Sequence, residues 1–278
     1  MKIIVPYWQK EYIHGMIEFV VVGIVSISAS KEREGGEYMK AYIRIRHTGE
    51  LYDRSCYAAY AGANELDIPV KPYKVVYSLT DNDPKDPVVG TFSDVKVALE
   101  RFGVKLLPLD YPDELMPFVG RKIWKSTLFT ITSHAEDWHV FVKPVEDVKR
   151  FHGTVLDKSE DLIKLGGGLE DIDVWCSSRV NFISEWRLWV LQGEIVGLCP
   201  YKGRWDIFPD PSVLKAAVAA YHSAPAGYAL DFGITDEGKT LLVEVSDGYA
   251  LASFGLKSRL YMQILLARWQ ELTKDVKV

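Results

Sequence analysis

The stretch Glu185–Leu191 alternates in character, runs into Gln192-Gly193 and continues as Glu194–Leu198. A Gln-Gly pair between two such runs is a two-residue hairpin signal, because the tight turn that fits twisted strands needs φ > 0 at its central residues. A period of two puts Glu185, Arg187 and Trp189 on one face of the first strand and Trp186, Leu188 and Val190 on the other. An arginine in so apolar a strand requires an anionic partner. That partner is either a neighbouring acid in a structural ion pair or a ligand phosphate held by the planar guanidinium.

A second hairpin follows a helical segment, Ser212–His222, that carries apolar residues at 213, 214, 217, 218 and 221. Its strands are Tyr228–Gly233 and Thr240–Val245. With Glu237-Gly238 as the two turn residues, Asp231 falls directly opposite Glu244, with both side chains on one face. Like charges so placed repel, more so beside Leu230, Val243 and Val245, unless a positive group lies between them. A divalent cation resolves the conflict, and an all-oxygen donor set suits magnesium, which also takes waters and substrate phosphates. The plain alternative is a surface hairpin whose acids are solvated.

The rest of the chain reads as mixed α/β. Strands are expected at residues 3–5, 19–27 and 39–46, with a loop or hairpin tip at 30–37. A short helix is expected over Tyr57–Leu66 and a strand over Val75–Leu79. Ser93 is placed as N-cap of a helix bearing Val95, Ala98, Leu99 and Phe102, which Gly103 ends. An irregular Pro108–Pro117 connection leads to a change of character near Gly120–Leu128, read as a boundary between domains 1–119 and 120–278. Beyond it, Trp138–Lys143 alternates as a strand, and Asp157 with Glu160 forms an Asp-led capping box. Gly166–Gly168 is a glycine loop without the lysine-serine sequel of a phosphate loop. A final amphipathic helix carries Leu256, Leu260, Ile264, Leu265 and Leu272.

Composition excludes several classes. The formal net charge of −5 leaves no dominant positive field for a general nucleic-acid coat, with a local basic groove still open. Three scattered cysteines make neither a disulfide framework nor a zinc ribbon and read as free thiols in a reducing compartment. The six histidines show no paired ligand spacing. The longest apolar run, Phe19–Ala29, falls short of the roughly 20 residues a membrane span needs. It follows Glu11 and Glu18 and reads as a buried strand rather than a secretory segment, so the expectation is a cytoplasmic protein with no membrane attachment.

Lys143 closes its strand just before Pro144, a position from which it either touches a phosphate or ends as a solvated terminus. The order of these parts resembles the ATP-grasp superfamily over roughly residues 120 to 256. Trp138–Pro144 with the basic loop Lys149–Gly153 resembles its opening, Glu185–Gly193 its central hairpin, and Asp231-Phe-Gly with Leu242–Ser246 its metal-binding strands. Val88–Gly90 and Phe118–Trp124 are similar to a phage- and bacteria-associated clade marked by additional arginines and a lysine, for which Arg121 and Arg204 are candidates.

The resemblance implies two subdomains clasping ATP, preceded by a mixed α/β N-terminal domain. It implies that Lys143, Lys125 and Lys149 contact phosphates, and that Val174, Trp175, Cys176 and Ser177 form a hinge reading the adenine edge. Arg187 and Lys143 would be catalytic, and Asp231 and Glu244 would hold magnesium. The superfamily has asparagine two residues after its metal-binding glutamate, whereas this chain has Ser246 followed by Asp247, so either could complete a second metal position. The implied reaction is ADP-forming ligation of a carboxylate, of a small molecule or peptide, to an amine (or thiol) through an acyl phosphate. A phosphotransferase and a non-catalytic nucleotide-binding module are the alternatives.

Overall fold

The computed structural model describes residues 38–145, 151–165 and 170–277. The readings at residues 3–5, 19–27, 30–37 and 166–168, and those on Lys149 and Arg150, lie outside the described residues.

The strands β1 (Ala41–Arg44), β2 (Val70–Tyr73) and β3 (Val88–Val89) form a parallel sheet in the order β2-β1-β3. Parallel neighbours need a crossover, and α1 (Arg54–Glu65) supplies it between β1 and β2. α1 starts earlier than expected because Asp53 caps it, accepting the Cys56 N–H at 2.8 Å. The strand expected at Val75–Leu79 lies earlier, and Val76–Ser78 form a 3-10 turn instead. β2 tolerates Pro72 because it is an edge strand, where a missing N–H costs no ladder bond.

α2 (Phe92–Arg101) is capped by Thr91 rather than Ser93. The Asp94 carboxylate accepts the Thr91 N–H at 2.8 Å, and the Thr91 hydroxyl faces the Asp94 N–H, a closed capping box. Gly103, with φ 76°, ends the helix as expected.

Next come β4 (Ile123–Thr127), α3 (Leu128–Ser133), β5 (Val140–Pro144), β6 (Thr154–Leu156) and β7 (Asp173–Ser178). The four strands form an antiparallel sheet in the order β4-β7-β5-β6, with Leu128, Val140, Val142, Leu156 and Val174 in its core. The 3-10 segment Ser159–Leu165 is not capped by the expected Asp157–Glu160 box. Asp161 does this instead, accepting the N–H groups of Asp157 and Lys158 at 3.0 and 3.2 Å. The side chain of Asp157 turns to His139 and Arg179.

The remaining elements are β8 (Phe182–Leu191), β9 (Glu194–Gly203), α4 (Pro211–Ala220), β10 (Gly227–Thr235), β11 (Thr240–Asp247) and α5 (Ser258–Thr273). The strands make an antiparallel sheet in the order β11-β10-β8-β9. The β8–β9 turn is the expected Gln192-Gly193, with φ of 51° and 82°. Both faces of this sheet are covered. Leu188, Val190, Tyr228, Leu230 and Phe232 pack with Leu214 and Ala217 of α4. Trp189, Leu191 and Ala229 pack beneath α5, which also meets Ala59 and Ala63 of α1. The α1–α5 approach is close: a Cβ on Gly62 would run into the Ser258 carbonyl and the Met262 side chain. Among the described residues no helix is long and apolar enough to cross a membrane.

Candidate active site

One row of side chains crosses the β11-β10-β8 sheet. Glu244 pairs with Asp231, and Asp231 pairs with Arg187 on its other side. The expected juxtaposition of the two acids is present, and the positive group beside them is Arg187. Its Nε and Nη2 each lie 2.7 Å from one oxygen of Asp231, a bidentate pair, while Nη2 also donates to the Ser246 hydroxyl at 3.0 Å. The guanidinium carbon sits 4.8 Å from the Phe254 ring centroid and 5.7 Å from that of Trp189.

Asp231 is 1% exposed. Burial pushes its carboxyl up to about 6, against the pull of Arg187. On the arginine, burial works downward, but the Asp231 contact outweighs it and the pKa is raised. At neutral pH the two form a buried ion pair. Glu244 differs: its side chain is 41% exposed and it borders the cavity described below.

The approach of Glu244 depends on a register shift. The β10–β11 turn holds three residues, not two, because Thr235 and Lys239 still pair across it through a 2.9 Å bond. Near the turn Phe232 therefore faces Leu242, and the ladder then skips Val243 so that Asp231 meets Glu244. Arg121 clamps this bulge, donating from Nη1 to the Leu242 carbonyl at 2.6 Å and from Nη2 to the Val243 carbonyl at 2.9 Å.

The other antiparallel sheet contributes a rung of its own. Lys125 on β4 and Lys143 on β5 both pair with Trp175 on β7. The Lys125 ammonium lies 4.8 Å from the Trp175 ring, and the buried indole Nε1 has no hydrogen-bond partner among the described residues. The Lys143 ammonium lies 3.4 Å from Asp110, 3.7 Å from Glu244 and 4.5 Å from the Tyr111 ring centroid. Burial alone would lower its pKa, but Tyr111, Glu244 and Asp110 more than offset this and raise it, so Lys143 is a cation.

Lys143, Arg187, Glu244, Ser246 and Asp247 line one cavity of about 420 Å³, together with Phe254 and other apolar groups. Lys125, Trp175, Cys176, Ser177, Asp231 and Arg204 do not line it. Cys176 and Ser177 lie within β7, the strand between β4 and β5, so the backbone of Val174–Ser177 belongs to the sheet ladder rather than to a free hinge. Burial raises the Cys176 thiol to about 11, leaving it unreactive. Arg204 is exposed and pairs with Asp206.

The carboxylates are unequally available. Both oxygens of Asp247 are held by Arg268, at 2.7 Å each, and those of Asp231 by Arg187. No group of three or more histidine, cysteine or acidic side chains among the described residues makes a metal cage. Glu244 is the member of the expected set with an open carboxylate. One open carboxylate suits magnesium whose other ligands are phosphates and water.

Pattern reading missed Asp110, Tyr111, Phe254 and Arg268. Asp110 and Tyr111 lie in a segment without periodicity, and only the unusual φ of 36° at Asp110 marks it, a property visible in coordinates alone. Arg268 sits within the apolar pattern of the last helix, and a buried basic residue there was its one sequence signal.

A family model described as an ATP-grasp domain, R2K clade family 2, matches residues 118–264. No curated protein matches the sequence. Among solved structures, D-alanine–D-alanine ligase from Bacillus anthracis is 12% identical with a TM-score of 0.52, over 85% of this chain and 99% of that one. D-cycloserine synthetase DcsG gives 12% identity and a TM-score of 0.51, over 82% and 99%. N5-carboxyaminoimidazole synthetase from Staphylococcus aureus gives 10% and 0.50, over 82% and 77%. At such identities the likeness is one of fold.

Proposed function

We propose a function from one premise: this chain belongs to the ATP-grasp superfamily, in R2K clade family 2. The reading is an ATP-dependent, ADP-forming ligase that joins a carboxylate to an amine (or thiol) through an acyl phosphate. The observation that carries it is the convergence of Lys143, Arg187 and Glu244 on one cavity, two cations and an open acid brought from two separate sheets.

Lys143, which lines the cavity, is assigned to the ATP phosphates, and Lys125, its neighbour across Trp175 but outside that lining, is proposed as a second phosphate contact on the family resemblance. Arg187, fixed by Asp231 and packed against Phe254, is assigned to the transferring phosphoryl group. Such a preorganised charge acts without reorganising during the reaction. Glu244 would hold magnesium, which when bound neutralises phosphate charge.

In the first step a carboxylate oxygen of the acid attacks the γ-phosphorus, and the bond to the β-phosphate oxygen breaks, releasing ADP. In the second the amine attacks the acyl carbon, the carbon–oxygen bond to phosphate breaks, and the amine gives up a proton. The apolar part of the cavity, with Leu107, Tyr249, Leu251 and Phe254, offers room for the body of a small-molecule or peptide acid. The three solved relatives are by name a ligase and two synthetases, in keeping with this class.

Incubation with Mg-ATP, candidate acids and hydroxylamine tests the reading. A hydroxamate with stoichiometric ADP is the expected result. ADP and a phosphorylated acceptor without hydroxamate would assign a phosphotransferase, and no Mg-ATP binding by calorimetry would sink both.

A further inference from the structure

We propose that Arg187 stands, in this chain, where a second divalent cation would otherwise sit, so that one metal ion rather than two accompanies the bound nucleotide. This rests on the nucleotide-binding reading above and deepens it.

Four oxygen-bearing side chains were candidates for metal ligands, and three of them are already engaged by arginine. Asp231 gives both oxygens to Arg187, Ser246 accepts from the same guanidinium, and Asp247 gives both oxygens to Arg268. Glu244 is left, facing the cavity beside Lys143. A metal ion reaching Asp231 would have to displace Arg187 and strand a guanidinium between Phe254 and Trp189, and an uncompensated buried charge is strongly unfavourable.

The positions agree with a stand-in role. Arg187 is the cross-strand partner of Asp231, which is itself the partner of Glu244, so the guanidinium lies in the same row as both acids. It also lines the cavity, and neither Asp231 nor Ser246 uses its Nη1. A permanently charged group on the sheet thus replaces a charge that would otherwise be recruited from solution. Serine at position 246 fits this arrangement: its short hydroxyl reaches Nη2 at 3.0 Å.

Manganese(II) with the β,γ-imido analogue of ATP tests the proposal on the intact chain, by calorimetry and by electron paramagnetic resonance of free manganese. The expected result is one manganese per bound nucleotide at saturation. Two manganese ions per bound nucleotide would overturn the proposal while leaving the nucleotide site standing. No bound nucleotide would overturn both. As a second measurement, Asp231→Asn should keep manganese affinity in the ternary complex within about threefold, whereas Glu244→Gln should weaken it about tenfold or more. Equal weakening by both would make Asp231 a ligand and end the proposal. Should the Asp231 variant not fold, the wild-type count decides alone.

Discussion

The ammonium of Lys143, on one antiparallel sheet, lies 3.7 Å from a carboxylate oxygen of Glu244 on the other. Both groups face the shared cavity, and the carboxylate is among the groups that keep Lys143 a cation there. Lys143→Met removes the cation and leaves Glu244 without it. The expected outcome is a roughly ten- to hundredfold loss of Mg-ATP affinity with little change in far-UV circular dichroism. Calorimetric titration of the variant checks this, and undiminished affinity would remove Lys143 from the phosphate site.

Glu244→Gln keeps the side chain's shape and removes its charge. Turnover is expected to vanish while the thermal midpoint stays within a few degrees of wild type, since the group is half exposed and outside the core. ADP release at saturating magnesium is the measurement. Unchanged turnover contradicts the assignment of the metal to Glu244.

Arg121 holds the carbonyls of Leu242 and Val243 at the step where the ladder slips by one residue. Arg121→Met removes both side-chain donors from those part-buried carbonyls, at a cost of about 1–3 kcal/mol. Urea unfolding should show that loss. Activity of the folded fraction should fall as well, because the slip is what sets Glu244 opposite Asp231. A variant that lost stability but kept full activity would make the clamp purely structural.

Asp231 has a sign-specific effect on acid stability. Its carboxyl holds its proton up to about 6 in the folded chain, against roughly 3.9 when unfolded. Between these values the folded chain binds more protons, so this group's contribution to stability falls as pH rises from about 4 to about 6. Relative to Asp231→Asn, the wild type should lose on the order of 2 kcal/mol across that window. Urea denaturation of both proteins at stepped pH measures it. A difference that grew with pH instead would mean that Arg187 dominates over burial.

Gly62 is distant in role from all of these. Gly62→Val drives a side chain into the Ser258 carbonyl and the Met262 side chain, and overpacking of this kind costs about 1–3 kcal/mol. The thermal midpoint should fall with Mg-ATP affinity unchanged in the folded protein. An unchanged midpoint would show that α1 and α5 can separate freely.

The hairpins were legible because turn chemistry and period-two patterning are local: Gln192-Gly193 and the facing of Asp231 with Glu244 follow from neighbouring residues. The second success hid two compensating departures. The turn is one residue longer than its glycine position suggested, and the bulge at Val243 restores the register. A bulge clamped by Arg121 from 121 residues away has no local signature. The same limit explains Arg187, whose sequence context required an anion without saying which. Val174–Ser177 was read as a hinge by resemblance, but β-branched and aromatic residues with neighbours on both sides made a central strand. Thr91 outcompeted Ser93 as N-cap because Asp94 closes the box with Thr91 and lies too near Ser93 to do so.

The packing of α1 against α5 imposes an order on synthesis. Arg259 donates to the Glu65 carbonyl across 194 residues of chain, and Ala59 and Ala63 find Met262 and Leu266 over a similar interval. While the ribosome works through the intervening sheets, the apolar face of α1 waits uncovered, although the hairpins downstream can close as they emerge. Contacts so distant in sequence make folding slow. In a nascent chain that ends before Ser258, the face of α1 that packs on α5 has no cover from that helix.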